Sequence, residues 1–288
     1  MLTSFDHHTI VVRDLRTAVS HYSVLLGYGP RWLGVHGDLG VEAALFGLGN
    51  GMVELVAPRA GDSRAHGLAE LIEQQGEGLT SLAFGTGDAD ACRGWLTQQG
   101  VRAAPVVEGR AGEPGGESGG ASGQERSYRV VELSPRQTRG VRLQVVERPD
   151  RDLLVAQGRS SPACVEAIDH IVVSTASAQA AIEYYGERLG VRLALDRDLR
   201  GVRMLFFRLG GVTLEVVERS GIGDTDRLYG VAYRVPDADA AHARLSELGL
   251  SLTEPRAGNK QGTRVFTVRS GTCGVPTLII ADPSRRRA

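Results

Sequence analysis

Cysteine is scarce in this chain of 288 residues: Cys92, Cys164 and Cys273 are its only three, they lie far apart, and no C-x-x-C occurs. An odd, scattered set excludes a disulfide scaffold or a zinc knuckle and fits a reducing compartment, so a cytoplasmic protein is expected. Surplus charge is lacking as well. Lysine and arginine total 33 against 34 acidic residues, a net charge of -1, which leaves no basic footprint for nucleic acid or an anionic membrane. No apolar run approaches the roughly 20 residues of a membrane span. The opening Met1-Leu2-Thr3-Ser4 has neither the charged nor the apolar region of a signal peptide. What is abundant is glycine, 38 residues, nearly twice the usual share of about 7%, which predicts short strands joined by tight turns. At about 150 residues per domain the length suggests two domains, each able to bury a core without staples.

The chain repeats itself. Residues 5 to 27, FDHHTIVVRDLRTAVSHYSVLLG, match residues 168 to 190, IDHIVVSTASAQAAIEYYGERLG, without a gap from Asp-His to Leu-Gly. His7 falls over His170, Tyr22 over Tyr185 and Gly27 over Gly190. A second repeat sets SLAFGTGDADACRGWLTQQGV (81 to 101) over GVAYRVPDADAAHARLSELGL (230 to 250). The chain therefore divides into four quarters, two per domain. In the first, Asp14 is a helix N-cap, Leu15, Val19, Tyr22 and Leu26 share a helical face, and Gly27 stops the helix. Strands are expected around Arg31 to Val35, Glu42 to Leu48 and Met52 to Val56. In the third quarter Ser177 caps a helix, and strands are expected around Val191 to Leu195, Val202 to Leu209 and Val212 to Val217. Gly49-Asn50-Gly51 and Gly210-Gly211 supply hairpin turns. The unit is βαβββ. Residues 109 to 125, GRAGEPGGESGGASGQE, read as a mobile loop. The G-x-S-x-G match within it, Gly116 to Gly120, lacks the strand before and helix after that a nucleophile elbow needs.

Strand alternation puts His7, Thr9 and Val11 on one face and His8, Ile10 and Val12 on the other. The second, more apolar set suits the helix-covered side, which leaves His7 and its counterpart His170 on the open face. Two later strands, Met52-Val53-Glu54-Leu55-Val56 and Thr213-Leu214-Glu215-Val216-Val217, carry a carboxylate inside apolar sequence. Burial of an unpaired carboxylate is costly, so each must be protonated, hydrogen-bonded, paired or bound to a cation. A histidine and a glutamate on one sheet face suit a divalent metal.

From about Phe5 to Asp282 these features make the chain resemble the vicinal oxygen chelate superfamily, which includes glyoxalase I, methylmalonyl-CoA epimerase, extradiol dioxygenases and bleomycin-resistance proteins. The carriers are Asp6-His7 and Asp169-His170, the helix ends Leu26-Gly27 and Leu189-Gly190, and the Glu54 and Glu215 strands. The resemblance implies an α+β fold of four βαβββ modules forming two glyoxalase-like domains, residues 1 to 148 and 167 to 288, with curved, cleft-forming mixed sheets and a linker at 149 to 166. It also implies ligand positions at the opening and closing strands, often filled by His, Gln or Glu around Ni, Zn, Co, Mn or Fe, although metal-free members exist. His7 and Glu54 take those positions in the first module, and His170 and Glu215 in the third. The second offers Ser81 and Gln144, the fourth Gly230 and Ile279. An extradiol dioxygenase needs a histidine and a glutamate in the fourth module, so that chemistry is not expected.

The metal candidates are therefore His7, Glu54 and Gln144 in the N-terminal domain, with Glu54 also the candidate catalytic proton carrier. Were the first module to face the third, His7, Glu54, His170 and Glu215 would form one set. Two functional expectations stand together: a divalent-metal-dependent lyase or isomerase acting next to a carbonyl, and a metal-free protein that binds and sequesters a small molecule. The expected partner is a small-molecule ligand, with neither nucleic acid nor membrane, and both monomer and homodimer are open. The plainer readings pair Glu54 or Glu215 with Arg31 or Arg203, pack His8 under a helix, and leave His21 and His242 solvated. His36 and His66 read as loop residues, and Cys273 as a small residue in a turn.

Overall fold

The computed structural model describes residues 1–112, 126–155 and 161–285. The G-x-S-x-G match and most of the Gly/Ser tract lie outside the described residues; Gly109 to Ala111 end a strand.

The first half runs β1 (Ser4–Val11), α1 (Leu15–Leu26), β2 (Trp32–His36), β3 (Val41–Leu48), β4 (Gly51–Pro58), α2 (His66–Gln75), β5 (Gly78–Thr86), α3 (Ala89–Gln98), β6 (Val107–Ala111), β7 (Arg126–Glu132) and β8 (Arg142–Glu147). A single turn, α4 (Arg151–Leu154), follows. The second half runs β9 (Ala167–Thr175), α5 (Ala178–Ala181), a π-helical stretch at Ile182–Arg188, β10 (Arg192–Leu199), β11 (Val202–Leu209), β12 (Val212–Glu218), β13 (Arg227–Arg234), α6 (Ala238–Glu247), β14 (Arg256–Ala257), β15 (Arg264–Val268) and β16 (Thr277–Ala281). Among the described residues no helix is long and apolar enough to cross a membrane.

Each module helix starts the same way. Asp14, Asp88, Ser177 and Asp237 sit in extended conformation, and each side chain accepts a backbone N–H of the first turn, which would otherwise be unpaired. Gly27 stops α1 in the left-handed region, at φ 91°. The helix of the third module differs from the expected α pattern. Within its π stretch the consecutive residues Tyr184 and Tyr185 are both buried, at 4% and 1% exposure.

Two eight-stranded mixed sheets result, ordered β2-β3-β4-β1-β5-β8-β7-β6 and β10-β11-β12-β9-β13-β16-β15-β14. In each the first strand pairs in parallel with the fourth and antiparallel with the fifth. Module one thus shares a sheet with module two, and three with four. The pairing of module one with module three is overturned: His7 and Glu54 lie in one sheet, His170 and Glu215 in the other.

The helix-side faces of both sheets pool into one core that includes Tyr22, Phe46, Ile171, Tyr185 and Tyr233. Polar bonds cross the same interface. The Asn50 side chain donates to Ile168 O at 2.7 Å and accepts from Ile168 N at 2.9 Å. The Arg244 guanidinium donates to Val24 O at 2.6 Å and Leu25 O at 3.0 Å. Gly210, at φ 56°, comes so close that a Cβ there would lie 2.8 Å from Phe5 N, so the hairpin needs glycine for contact as well as for its turn. The opposite faces form two cups. The first cup is drawn shut at its rim, where Gly112 N donates to Val35 O at 2.8 Å. In the second, β10 stays exposed along most of its length.

His8 is fully buried, its Nε2 hydrogen-bonded to the Tyr233 hydroxyl at 2.9 Å across the domain interface. Burial pushes its imidazole down to about 3, with the neighbouring His7 adding to the effect. The unfolded chain takes up this proton near pH 6.5 and the folded chain does not, so the stability from neutral His8 is complete above about pH 6.5 and declines toward pH 3. The urea midpoint should therefore fall on acidification through this window, by up to about 1.4 kcal/mol per pH unit, and more gently in His8→Gln. Equal slopes in the two proteins would place the acid sensitivity elsewhere.

Candidate functional site

Strand register assembles the site. On β1 the alternation sends His7 and Thr9 into the first cup; Thr9 stands opposite Glu54 on β4 and Ser81 on β5, and His7 opposite Met52 and Ala83. Continuing across the sheet, Leu45 faces Glu54, and Trp32 faces Leu45. Trp32, Gly34 and His36 alternate on β2, so His36 reaches the same interior.

There four side chains meet. His7 Nε2 lies 3.3 Å from Glu54 Oε2, the Thr9 hydroxyl donates to the same oxygen at 2.9 Å, and His36 Nε2 lies 3.6 Å from Oε1. Behind His7, Nδ1 donates to Asp6 Oδ1 at 2.7 Å. Asp6 occupies the irregularity where the β1–β5 register shifts. It is fully buried and meets Arg148 Nε at 3.4 Å and Arg151 Nε at 3.7 Å. The Arg148 guanidinium stacks 5.4 Å from the centre of the Tyr128 ring, and the Tyr128 hydroxyl is hydrogen-bonded to His36 Nδ1 at 3.0 Å. The polar groups form a closed circuit: Asp6, His7, Glu54, His36, Tyr128, Arg148 and back to Asp6.

The circuit sets the charges. Burial works to raise the Glu54 carboxyl, but His7 and His36 outweigh it and hold Glu54 well below its ordinary value. Burial likewise opposes the ionised Asp6, which the His7 hydrogen bond and Arg148 nonetheless pull below the ordinary carboxylate value. For His7, burial alone would favour the neutral ring, yet Glu54 and then Asp6 raise it to about 9. Burial and Glu54 push the Tyr128 phenol up to about 12. In this state Glu54 and Asp6 are carboxylates, and His7 is the imidazolium between them.

Of the residues expected to act together, His7 and Glu54 do meet. Gln144 lies on the cup face of β8, opposite Ala83, but its amide donates to Glu132 Oε1 at 2.6 Å. His36, read from the sequence as a loop residue, takes the place beside Glu54 instead. The pairing of a glutamate with Arg203 is replaced: Arg203 binds Asp196 at 2.7 Å. His66 opens α2, 3.1 Å from Glu70. His242 packs edge-on against Phe266, with ring centres 5.1 Å apart, rather than standing in solvent.

The second cup repeats the motif in looser form. His170 Nδ1 donates to Asp169 Oδ2 at 2.9 Å, but Nε2 is 3.8 Å from Glu215 and both side chains are partly exposed. Register gives Leu278, not Ile279, the cup position that matches Gln144, because Ala232 pairs with both His170 and Leu278. Ile279 points to the core and is fully buried.

A divalent ion with ligand bonds of about 2.1 Å separates neighbouring donors by roughly 3.0–3.4 Å, the spacing between His7 Nε2 and Glu54. The Asp6 carboxylate on the far nitrogen of His7 is the usual outer support of a ligating imidazole. Among the described residues, the buried His36 Nε2 has no hydrogen-bond partner. Among the described residues no three His, Cys, Asp or Glu side chains converge on one point, so His36 completes a two-histidine, one-carboxylate set only by rotating. The residues fit a divalent metal in kind, and two of them in spacing.

Comparison with known proteins agrees with the architecture. A family model for the glyoxalase/bleomycin resistance protein/dioxygenase superfamily matches residues 6–117, and a second with the same description matches 167–285. No curated protein matches the chain. Among solved structures, a mutant 4-hydroxymandelate synthase from Streptomyces coelicolor has 16% identity and a TM-score of 0.66, with 97% of this chain and 92% of that one covered. A hypothetical protein from Staphylococcus aureus gives a TM-score of 0.66 at 10% identity, covering 98% and 100%. A methylmalonyl-CoA epimerase from Streptomyces coelicolor, in complex with 2-nitronate-propionyl-CoA, is 26% identical over 52% of this chain and 96% of its own, with a TM-score of 0.40.

The charge assignment can be read directly. An NMR titration of His7 should give a value near 9. In Glu54→Gln burial remains while its largest counterweight is lost, so the value should drop by more than one unit. Because the folded value is raised, the stability His7 contributes is complete below about pH 6.5 and disappears as pH rises through about 9. An unmoved titration in the variant would detach His7 from Glu54.

Proposed function

We propose, for a chain that belongs to the glyoxalase/bleomycin resistance protein/dioxygenase superfamily, that the N-terminal cup is a small-molecule site and that its polar end takes a divalent metal for lyase or isomerase chemistry next to a carbonyl. The observation that carries this reading is the 3.3 Å approach of His7 Nε2 to the buried Glu54 carboxylate, with Asp6 fixing the ring from behind.

In this reading His7 Nε2, Glu54 and a rotated His36 Nε2 hold the ion. When bound, it supplies Lewis acidity toward a carbonyl or enolate oxygen. The chain's own residues do the rest. Asp6 keeps the His7 proton on Nδ1, leaving Nε2 free to bind. Thr9 fixes one oxygen of Glu54, and Tyr128 holds the ring of His36. Trp32, Leu45 and Met52 exclude water from the other half of the cup. Glu54 serves best as ligand and negative anchor. A carboxylate held well below its ordinary value is a weak base at neutral pH, so proton abstraction by Glu54 would require a ligand to weaken its contacts with His7 and His36.

A second reading, metal-free binding and sequestration of a small molecule, is favoured by a different observation: the raised His7 already neutralises Glu54 without any added ion.

Metal content separates the two. With Co²⁺ or Zn²⁺ added to protein freed of metal, the enzyme reading expects one equivalent per chain. It expects loss in His7→Ala and Glu54→Gln, weakening in His36→Ala, and no change in His170→Ala. Binding must displace the His7 proton, so affinity should rise up to about tenfold per pH unit until about pH 9. Weak uptake that none of these substitutions alters would overturn the metal reading in favour of sequestration.

A further inference from the structure

Part of the apolar packing inside the first cup does not come from its sheet. Trp32, Ala43, Leu45 and Met52 form a small apolar cluster with Ala111 of β6 and Leu154 of α4. Register places Trp32, Ala43, Leu45 and Met52 on the face of His7 and Glu54. Leu45 is the cross-strand neighbour of Glu54, and the Trp32 ring lies 5.7 Å from that of His36. The space occupied by Leu154 therefore adjoins the polar circuit.

The element that carries Leu154 has little of its own to hold it there. It is one turn of four residues, far shorter than a helix that stands alone. Leu154 is 1% exposed, whereas Leu153 beside it is 76% exposed, so the apolar hold on α4 is Leu154, with only the half-buried Val155 behind it on the same cluster. Its polar ties sit at its start, where Arg151 donates to Phe5 O at 2.9 Å and Asn50 O at 3.3 Å, and Arg126 pairs with Asp150. The Arg151 end can stay tethered while the Leu154 end swings away.

We infer that α4 is a displaceable stopper: Leu154 fills an apolar subsite beside Glu54, and a ligand with a branched aliphatic or small aromatic group close to its oxygenated carbon binds by taking that place. The inference rests on the cup being a small-molecule site but needs no metal. A leucine side chain is an internal model of the ligand's apolar part, and the carboxylate, imidazole and hydroxyl groups beside it meet the oxygenated part. The apolar burial lost when Leu154 leaves is restored by a ligand group of similar size, so the exchange costs little only for ligands of this shape.

The test uses the metal-free full chain with 4-methylpentanoate, an isobutyl group on a short carboxylic acid, as probe. By native-state hydrogen exchange, the amides of Leu154 and Val155 should open at least tenfold more often than those of Leu55 and Val56 in β4. Saturating probe should speed them further. By NMR titration, Leu154→Ala should bind the probe at least tenfold more tightly than the parent, and Leu153→Ala no differently from it. Exchange of the α4 amides at the β4 rate, protection of them by the probe, or no tightening in a folded Leu154→Ala would each overturn the stopper. Should Leu154→Ala fail to fold, the exchange experiment on the parent still decides. None of these readouts depends on metal stoichiometry, so the stopper and the metal reading can fail separately.

Discussion

A carboxylate inside apolar β-structure stays ionised only where donors and cations reach it, and the first sheet buries two, Asp6 and Glu54, on either side of one imidazole. Every other feature of the cup's polar end follows from that constraint. Arg148 and Arg151 come from the chain beyond β8 to meet Asp6, and Thr9 and His36 come from β1 and β2 to meet Glu54. Because each group answers another, removing one leaves an uncompensated charge, a loss of about 3–5 kcal/mol for a buried pair. The same mutual dependence makes the cluster responsive: an ion or ligand that satisfies Glu54 frees His7 and His36, and the change passes to Asp6 and Tyr128 through ring nitrogens already hydrogen-bonded to them.

Much of the fold could be read from the chain because it is written twice. The Asp-His openings, the capped helices and the glutamate-bearing strands fixed the module, and the pairing of neighbouring modules followed the family resemblance. What escaped depended on long-range register. His36 lies one residue past the expected strand end at Val35; extending the alternation of Trp32 and Gly34 by one step places it in the cup. Gln144 shares the correct face, but its bond to Glu132 depends on β7 lying beside β8, which no local pattern announces. Arg148, Tyr128 and Leu154 were out of reach for the same reason. The π turn after Ala181 left no signature beyond two adjacent tyrosines that both needed burial.

The two cups begin from one pattern and diverge through solvent. In the first, the Gly112 to Val35 bond and the His36 to Tyr128 pair bring the two ends of the sheet together, so Glu54 retains only 8% exposure. In the second, β10 remains open and Leu195 is 45% exposed. Water can then solvate Glu215 and His170, and a 3.8 Å approach is enough.

Closure also explains why the circuit in the first cup must be complete. As the effective dielectric falls, each unpaired charge costs more and each pair gains more, so a closed cup favours an arrangement in which each buried carboxylate has a cation beside it. The second cup can carry Gly230 and Leu278 at its fourth-module positions because His170 and Glu215 stay partly exposed to solvent. The first can replace the fold's usual ligand positions only by recruiting new partners, and His36 is the one it recruits. A closed polar end beside an apolar half that Leu154 helps fill is a site whose chemistry waits on access, and among the described residues α4 is a part of its wall that does not belong to its sheet.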